Sequence, residues 1–181
     1  MLILWAGPKH SGKTTSAARV AQLAGERGFA VAGLLAYSVY RQGQLCGFDA
    51  CDLRTGARAP LAVRRADGGE IGPFHFIEEG VALGGAALGR PATDGADLVI
   101  VDEFGPLELA SQGWRAAVDS LVDAGRMPLL LVVREELAGT VRRLYADVPS
   151  RQLNVIAPES VHEVIRLLAA TGASEECDAP V

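Results

Sequence analysis

The chain has 181 residues, 49% of them hydrophobic and 22% charged, with a formal net charge of −5. That length suits one domain with a sizeable core, and the balance is ordinary for a globular chain. The net charge argues against nonspecific nucleic-acid binding, and no apolar run reaches the length of a membrane span. Three cysteines, Cys46, Cys51 and Cys177, form no C-x-x-C pair and no Cys/His cluster. They read as free thiols in a reducing cytoplasm rather than as a disulfide framework or a zinc site. The paired arginines Arg64-Arg65 and Arg142-Arg143 read as solvated faces.

Met1 to Ala6 is apolar but too short for a secretory signal. Leu2 to Ala6 reads as a central strand buried on both faces. Thr14 to Arg27 carries small apolar residues at helical spacing, stopped by Gly25 and Gly28. Phe29 to Val39 is the next strand. Leu45 to Leu53 and Leu61 to Val63 follow at short intervals with glycine turns between them. This spacing predicts an antiparallel ribbon between residues 33 and 76. Ala66 to Gly72 reads as a mobile loop and Phe74 to Phe76 as a short aromatic segment. Ile77 to Arg90 is compatible with a helix that Pro91 ends. Asp97 to Glu103 is a buried-strand run that finishes in two acids. Trp114 to Ala124 and Glu135 to Ala146 read as helices, Pro128 to Val133 and Leu153 to Ile156 as strands. Pro158-Glu159 opens a last helix, and residues 172–181 read as a flexible tail. Strands alternating with helices predict an α/β fold whose mainly parallel sheet is flanked by helices, in one domain over residues 1–171.

Lys9 and Lys13 are the two lysines of a chain that otherwise uses arginine for positive charge. Both lie in Gly7-Pro8-Lys9-His10-Ser11-Gly12-Lys13-Thr14, which fits the phosphate-loop pattern G-x-x-x-x-G-K-[ST]. A compact ammonium suits a site between phosphates better than a forked guanidinium. Residues 7 to 15, ending at Thr15, are therefore the expected nucleotide-binding segment of a P-loop NTPase fold. Gly7 and Gly12 let backbone N–H groups converge on phosphate, Lys13 reaches the β- and γ-phosphates, and Thr14 offers its hydroxyl to Mg²⁺. Lys9 and His10 read as solvent-facing, with Lys9 a second possible phosphate contact. Asp102, at the end of an apolar run, is the expected second metal ligand, and Glu103 beside it the expected base for an attacking water. Among the late arginines Arg134, Arg142, Arg143 and Arg151, the first is the leading candidate for the cation near the γ-phosphate, because strand ends line the ligand crevice. No N-K-x-D motif signals a guanine grip. Asn154 fits either a base contact or a strand-end turn.

With these residues the chain resembles the small cancer-related nucleoside-triphosphatases, a P-loop family. The loop Gly7 to Thr15 matches, as do Gly43, Gly47-Phe48-Asp49 and Leu61-Ala62 in the ribbon. More specific still is Val101-Asp102-Glu103-Phe104-Gly105-Pro106-Leu107-Glu108-Leu109, where the family reads D-E-I-G-P-M-E-L. The resemblance implies slow, Mg²⁺-dependent hydrolysis of nucleoside triphosphates with broad base tolerance, Asp102 serving the metal and Glu103 the water. Glu108 matches a family acid expected to cap or orient the helix that follows. The chain departs from the family at Ala36 to Tyr40, uncharged where an acidic pair and a basic residue are usual, at Gln44-Leu45, where arginines are common, and at Arg134-Glu135-Glu136, where a basic stretch is reduced. A kinase using the same loop and metal, and a nucleotide-dependent adaptor with negligible turnover, are the alternatives to hydrolysis. The expected partner is a nucleoside triphosphate, ATP, GTP or another, and neither nucleic acid nor membrane.

Overall fold

A computed structural model describes residues 1–66, 69 and 72–175. In chain order the elements are β1 (Leu2–Gly7), α1 (Lys13–Gly25), β2 (Val31–Arg41), β3 (Gln44–Asp52), β4 (Arg58–Arg64), β5 (Phe74–Phe76), α2 (Glu78–Leu88), α3 (Arg90–Thr93), β6 (Leu98–Val101), α4 (Pro106–Leu109), α5 (Arg115–Ala124), β7 (Leu129–Arg134), α6 (Glu135–Leu144), β8 (Ser150–Asn154) and α7 (Ser160–Glu175). One sheet of eight strands runs in the order β5-β4-β3-β2-β6-β7-β1-β8. From β2 to β8 neighbouring strands are parallel, and from β2 outward to β5 they are antiparallel.

The predicted ribbon is thus continuous with the core. β2 pairs parallel with β6 through Val31 to Leu34, then runs on past the end of β6 while pairing antiparallel with β3. This overhang decides what the ribbon does, because it carries Ala36 and Tyr37 past the end of β6, level with the last residues of β7 and β1.

The central strands are apolar on both faces because both are covered. Leu2, Leu4, Val99, Val101, Leu129 and Leu131 pack with Leu88, Val118 and Val141 on one side. Ile3, Trp5, Leu98, Ile100, Leu130 and Val132 pack with Ala17, Val20, Val164 and Leu168 on the other. Burial of such side chains contributes about 1.5–3 kcal/mol each. One β-sheet therefore separates α2, α5 and α6 from α1 and α7.

Several boundaries differ from the reading of the sequence, most by a residue or two and some for reasons the structure shows. Pro91 does not end α2; the helix stops at Gly89, and Pro91 lies in the first turn of α3, where a missing N–H costs nothing. The last strand is Ser150–Asn154, not Leu153–Ile156, because Asn154 turns the chain: its Oδ1 accepts from the Ile156 N–H at 3.0 Å. The final helix starts at Ser160 rather than at Pro158, with the Ser160 hydroxyl donating to the Asn154 carbonyl at 2.6 Å. That helix continues to Glu175, into the segment read as a tail; residues 176–181 lie outside the described residues. So do residues 67, 68, 70 and 71 of the loop expected to be mobile.

Candidate nucleotide site

β1 ends at Gly7, and the chain turns through residues 8–12 into α1. Gly7 is required by packing, since a Cβ there would lie 2.1 Å from Val155 Cγ1. His10 and Gly12 adopt positive φ, 62° and 77°, curling the loop so that its amides face inward. The Pro8 carbonyl is the hub of the loop. It accepts from the Ser11 N–H at 3.3 Å, the Ser11 hydroxyl at 2.8 Å and the Lys13 ammonium at 2.8 Å. Lys13 is buried, whereas Pro8, Lys9, His10 and Thr15 are exposed. Gly12 is the N-cap of α1, with no side-chain cap and no acid in the first turn. The first N–H groups of the helix and the positive end of its dipole are therefore left for an anion.

A strand separates β1 from β6: β7 lies between them. Asp102 follows β6 and is fully buried. Its Oδ2 accepts from the Ala36 N–H at 3.1 Å and its Oδ1 from the Glu103 N–H at 3.0 Å. Thr14 hydrogen-bonds the same carboxyl from the start of α1. Burial, and next the Glu103 charge, push the Asp102 pKa up to about 7, although these three hydrogen bonds pull the other way. Hard oxygens from a carboxylate and a hydroxyl, converging beside a phosphate loop, are the donor set that Mg²⁺ takes in company with phosphate oxygens. The residues present fit that ion. A divalent cation would remove the penalty on the Asp102 charge.

Glu103 differs from its neighbour. It is exposed and sits at φ 59°, a region that non-glycine residues occupy rarely and at some cost. The backbone reverses here because Phe104 is buried and its N–H donates to the Val132 carbonyl at 3.0 Å. The Asp and Glu side chains thereby part, one held inside and one presented to solvent.

Glu108 is 3% exposed. Its Oε2 accepts from the Gly105 N–H at 2.8 Å and its Oε1 from the Trp114 N–H at 3.1 Å. It caps α4 and fixes the approach to α5, as the family resemblance implied, and burial raises its pKa.

The arginines separate clearly. Arg134 is the last residue of β7 and the direct strand partner of Gly7. It lies between the phosphate loop and the acids, and no hydrogen bond or ion pair ties it down among the described residues. Arg151 does not join the site, because it is paired with Glu163 at 2.6 Å. Arg142 and Arg143 line a cavity of about 570 Å³ with Val148, Pro149 and Ser150. Ser150 pairs with Leu2, so this cavity lies at the opposite end of the sheet. Asn154 gives its side-chain oxygen to its own turn, accepting from the Ile156 N–H, as the turn reading expects.

Sequence reasoning missed the Ala36 amide, the second anchor of Asp102. A backbone donor carries no residue signature, and only the overhang of β2 brings it there.

A glycine-rich loop between β1 and α1, a sheet with one strand between loop and acids, and a buried Asp at the third strand's end define a P-loop NTPase. The model of a protein family described as NTPase matches residues 2–163, and the chain belongs to that family. It is 32% identical over 170 residues to nucleoside-triphosphatase THEP1 of Thermofilum pendens, covering 87% of this chain and 92% of that protein. It is 32% identical over 134 residues to nucleoside-triphosphatase THEP1 of Methanosarcina barkeri, covering 74% and 76%. Among solved structures, THEP1 from the hyperthermophile Aquifex aeolicus shares the fold with a TM-score of 0.70 at 19% identity, covering 93% of this chain and 99% of that one. The human cancer-related nucleoside triphosphatase does so with a TM-score of 0.65 at 22% identity, covering 99% and 98%.

Proposed function

We propose that the protein hydrolyses nucleoside 5′-triphosphates to diphosphate and phosphate in a Mg²⁺-dependent reaction with broad base tolerance. The observation that carries this reading is the Asp102–Glu103 pair. A fully buried carboxylate is anchored to Ala36, Glu103 and Thr14 beside the phosphate loop, and a second acid is turned outward next to it. The naming of family members as nucleoside-triphosphatases supports the same reaction.

In this reading the loop amides of residues 7–15 and the start of α1 bind the phosphates, and the Lys13 ammonium exchanges the Pro8 carbonyl for phosphate oxygens. Thr14 and Asp102 would hold Mg²⁺, which when bound neutralises charge on the β- and γ-oxygens. Glu103 accepts a proton from water as the water oxygen bonds to the γ-phosphorus and the bond to the β-phosphate bridging oxygen breaks. Arg134, at the end of β7, faces the charge that shifts during this step. Base tolerance fits a late-strand Asn154 whose side-chain oxygen is already engaged. A cytoplasmic setting fits Cys46 and Cys51, which are free thiols; no helix among the described residues is long and apolar enough to cross a membrane. The two core clusters share one sheet, which supports a single domain over residues 1–171.

The test is Glu103→Gln. Nucleotide binding by calorimetry stays within about twofold of wild type, while phosphate release falls by about 100-fold. Equal turnover in the variant removes Glu103 from the chemistry.

A further inference from the structure

Glu103 keeps a backbone conformation that an L-residue rarely adopts. Its φ of 59° is left-handed, which brings its Cβ too close to the backbone and costs energy. Such a conformation persists only where its surroundings over-determine it. Three successive amides do so here. The Glu103 N–H donates to Asp102 Oδ1 at 3.0 Å, the Phe104 N–H to the Val132 carbonyl at 3.0 Å and the Gly105 N–H to Glu108 Oε2 at 2.8 Å. The first bond fixes the peptide that precedes Glu103, and the other two fix the peptides that follow it. Two of the acceptors belong to the ends of β6 and β7. The third is a side chain.

Glu108 is itself held from the far side. Its Oε1 accepts from the Trp114 N–H at 3.1 Å, and Arg115 Nη1 donates to its carbonyl at 3.3 Å. Arg115 Nε binds the Asp119 carboxylate at 2.8 and 2.9 Å, and Asp119 accepts from the Tyr145 hydroxyl at 2.8 Å. The Tyr145 ring tilts against the buried Phe104 ring with centroids 6.2 Å apart. The circuit thus begins at Gly105 and closes on Phe104, the residue after Glu103. Capping alone accounts poorly for it, because α4 has only four residues and a buried carboxylate is costly. The guanidinium nearby is spent on Asp119 and on the Glu108 carbonyl, which leaves the carboxylate to backbone donors. The charge of Glu103 reaches it as well, adding to the rise that burial gives its pKa.

We propose that Glu108 is the positioning residue of Glu103: by holding the Gly105 amide it locks the backbone reversal that turns the Glu103 carboxylate outward from Asp102. This assignment rests on the hydrolase reading and extends it to how the base is aimed.

The experiment has a thermal arm and a kinetic arm. The thermal arm compares Glu103→Gly with Glu103→Gln, which both lack the charge and differ in what a left-handed φ costs them. With Glu108 intact, Glu103→Gly melts about 2–4 °C above Glu103→Gln. Combined with Glu108→Gln, the gap closes, because the released backbone no longer holds the reversal. Gly113→Ala puts a Cβ 2.3 Å from Glu108 Oε1, so it displaces the carboxylate without removing it, and it carries both arms if Glu108→Gln does not fold. In the kinetic arm, kcat for phosphate release from Mg-ATP falls about tenfold in Glu108→Gln and in Gly113→Ala, with KM within about twofold of wild type. Neither change slows Glu103→Gln further, because both act through the base that it lacks. An undiminished gap with Glu108 displaced, a wild-type kcat in either variant, or a further loss on top of Glu103→Gln overturns the assignment. Wild-type protein that releases no phosphate from any nucleoside triphosphate refutes the hydrolase reading and the aiming of a base with it. The thermal arm needs no turnover and still decides whether Glu108 holds the reversal.

Discussion

Asp102 offers a test of the site that needs no turnover. Its pKa rises from 3.8 to about 7 in the fold, chiefly through burial. A carboxyl whose folded-state pKa is raised binds more protons when folded than when unfolded across that interval, so stability falls as pH rises from about 4 to about 7. Three units correspond to a full cost of about 4 kcal/mol once the group is ionised in both states. At pH 5 the unfolded chain has already lost this proton and the native protein has not, which costs about 2 kcal/mol; at pH 8 the cost is about 4. The contribution of Asp102 therefore changes by about 2–3 kcal/mol between pH 5 and pH 8. Other groups titrate too, so the measured quantity is the difference between wild type and Asp102→Asn, each unfolded with urea in EDTA at both pH values. Asparagine carries no charge to desolvate, although its NH₂ cannot accept the Ala36 N–H, and that fixed loss cancels between the two pH values. The expected result is that Asp102→Asn gains about 2–3 kcal/mol on wild type as pH goes from 5 to 8. On the proposed metal role of Asp102, saturating Mg²⁺ and nucleotide reverse the order, because only the wild-type carboxylate would hold the ion. A difference that stays constant with pH refutes the claim that a buried, costly carboxylate waits at this strand end.

Three further outcomes follow from the geometry. Lys13→Ala removes the ammonium that reaches Pro8 and, in the bound state, the phosphates; calorimetry with Mg-ATP should show no binding, and micromolar affinity would contradict the phosphate-loop reading. Arg134→Ala should keep Mg-ADP binding within about threefold and lose about 100-fold in phosphate release, so unchanged release would leave the charge-stabilising role to another residue. Gly113→Ala places a Cβ 2.3 Å from Glu108 Oε1 at a φ of 55°; disturbing that buried cap should cost about 2 kcal/mol, or roughly 4–8 °C in Tm by calorimetry. A Tm equal to wild type would mean that Glu108 moves aside without loss.

Much of this architecture was legible in the residues because the strands are central. Runs such as Leu98 to Val101 have no polar face, and this pattern arises only where helices cover both sides of a sheet. Boundaries set by single side chains were less visible. Asn154 ends β8 by turning back on its own backbone, and Pro91 is harmless because it falls in a first helical turn; both effects depend on where neighbouring elements begin. The short helix α4 escaped notice because four residues carry no periodicity.

The sequence by itself determined that a phosphate loop is present, that an acid pair follows a buried strand, and that a glycine-punctuated ribbon interrupts the α/β alternation. Those features depend on residue type and local spacing, which are carried along the chain. The sequence already ranked Arg134 first among the late arginines, as a strand-end residue; the tertiary structure supplied the physical separation of Arg142 and Arg151 from it. Strand pairing with Gly7 selects the first, the far end of the sheet removes the second, and Glu163 occupies the third. Tertiary structure alone decided that Asp102 is held by a backbone amide from β2. Such groupings come from the register of strands distant in sequence, and that register is fixed only when the whole sheet closes on its two cores.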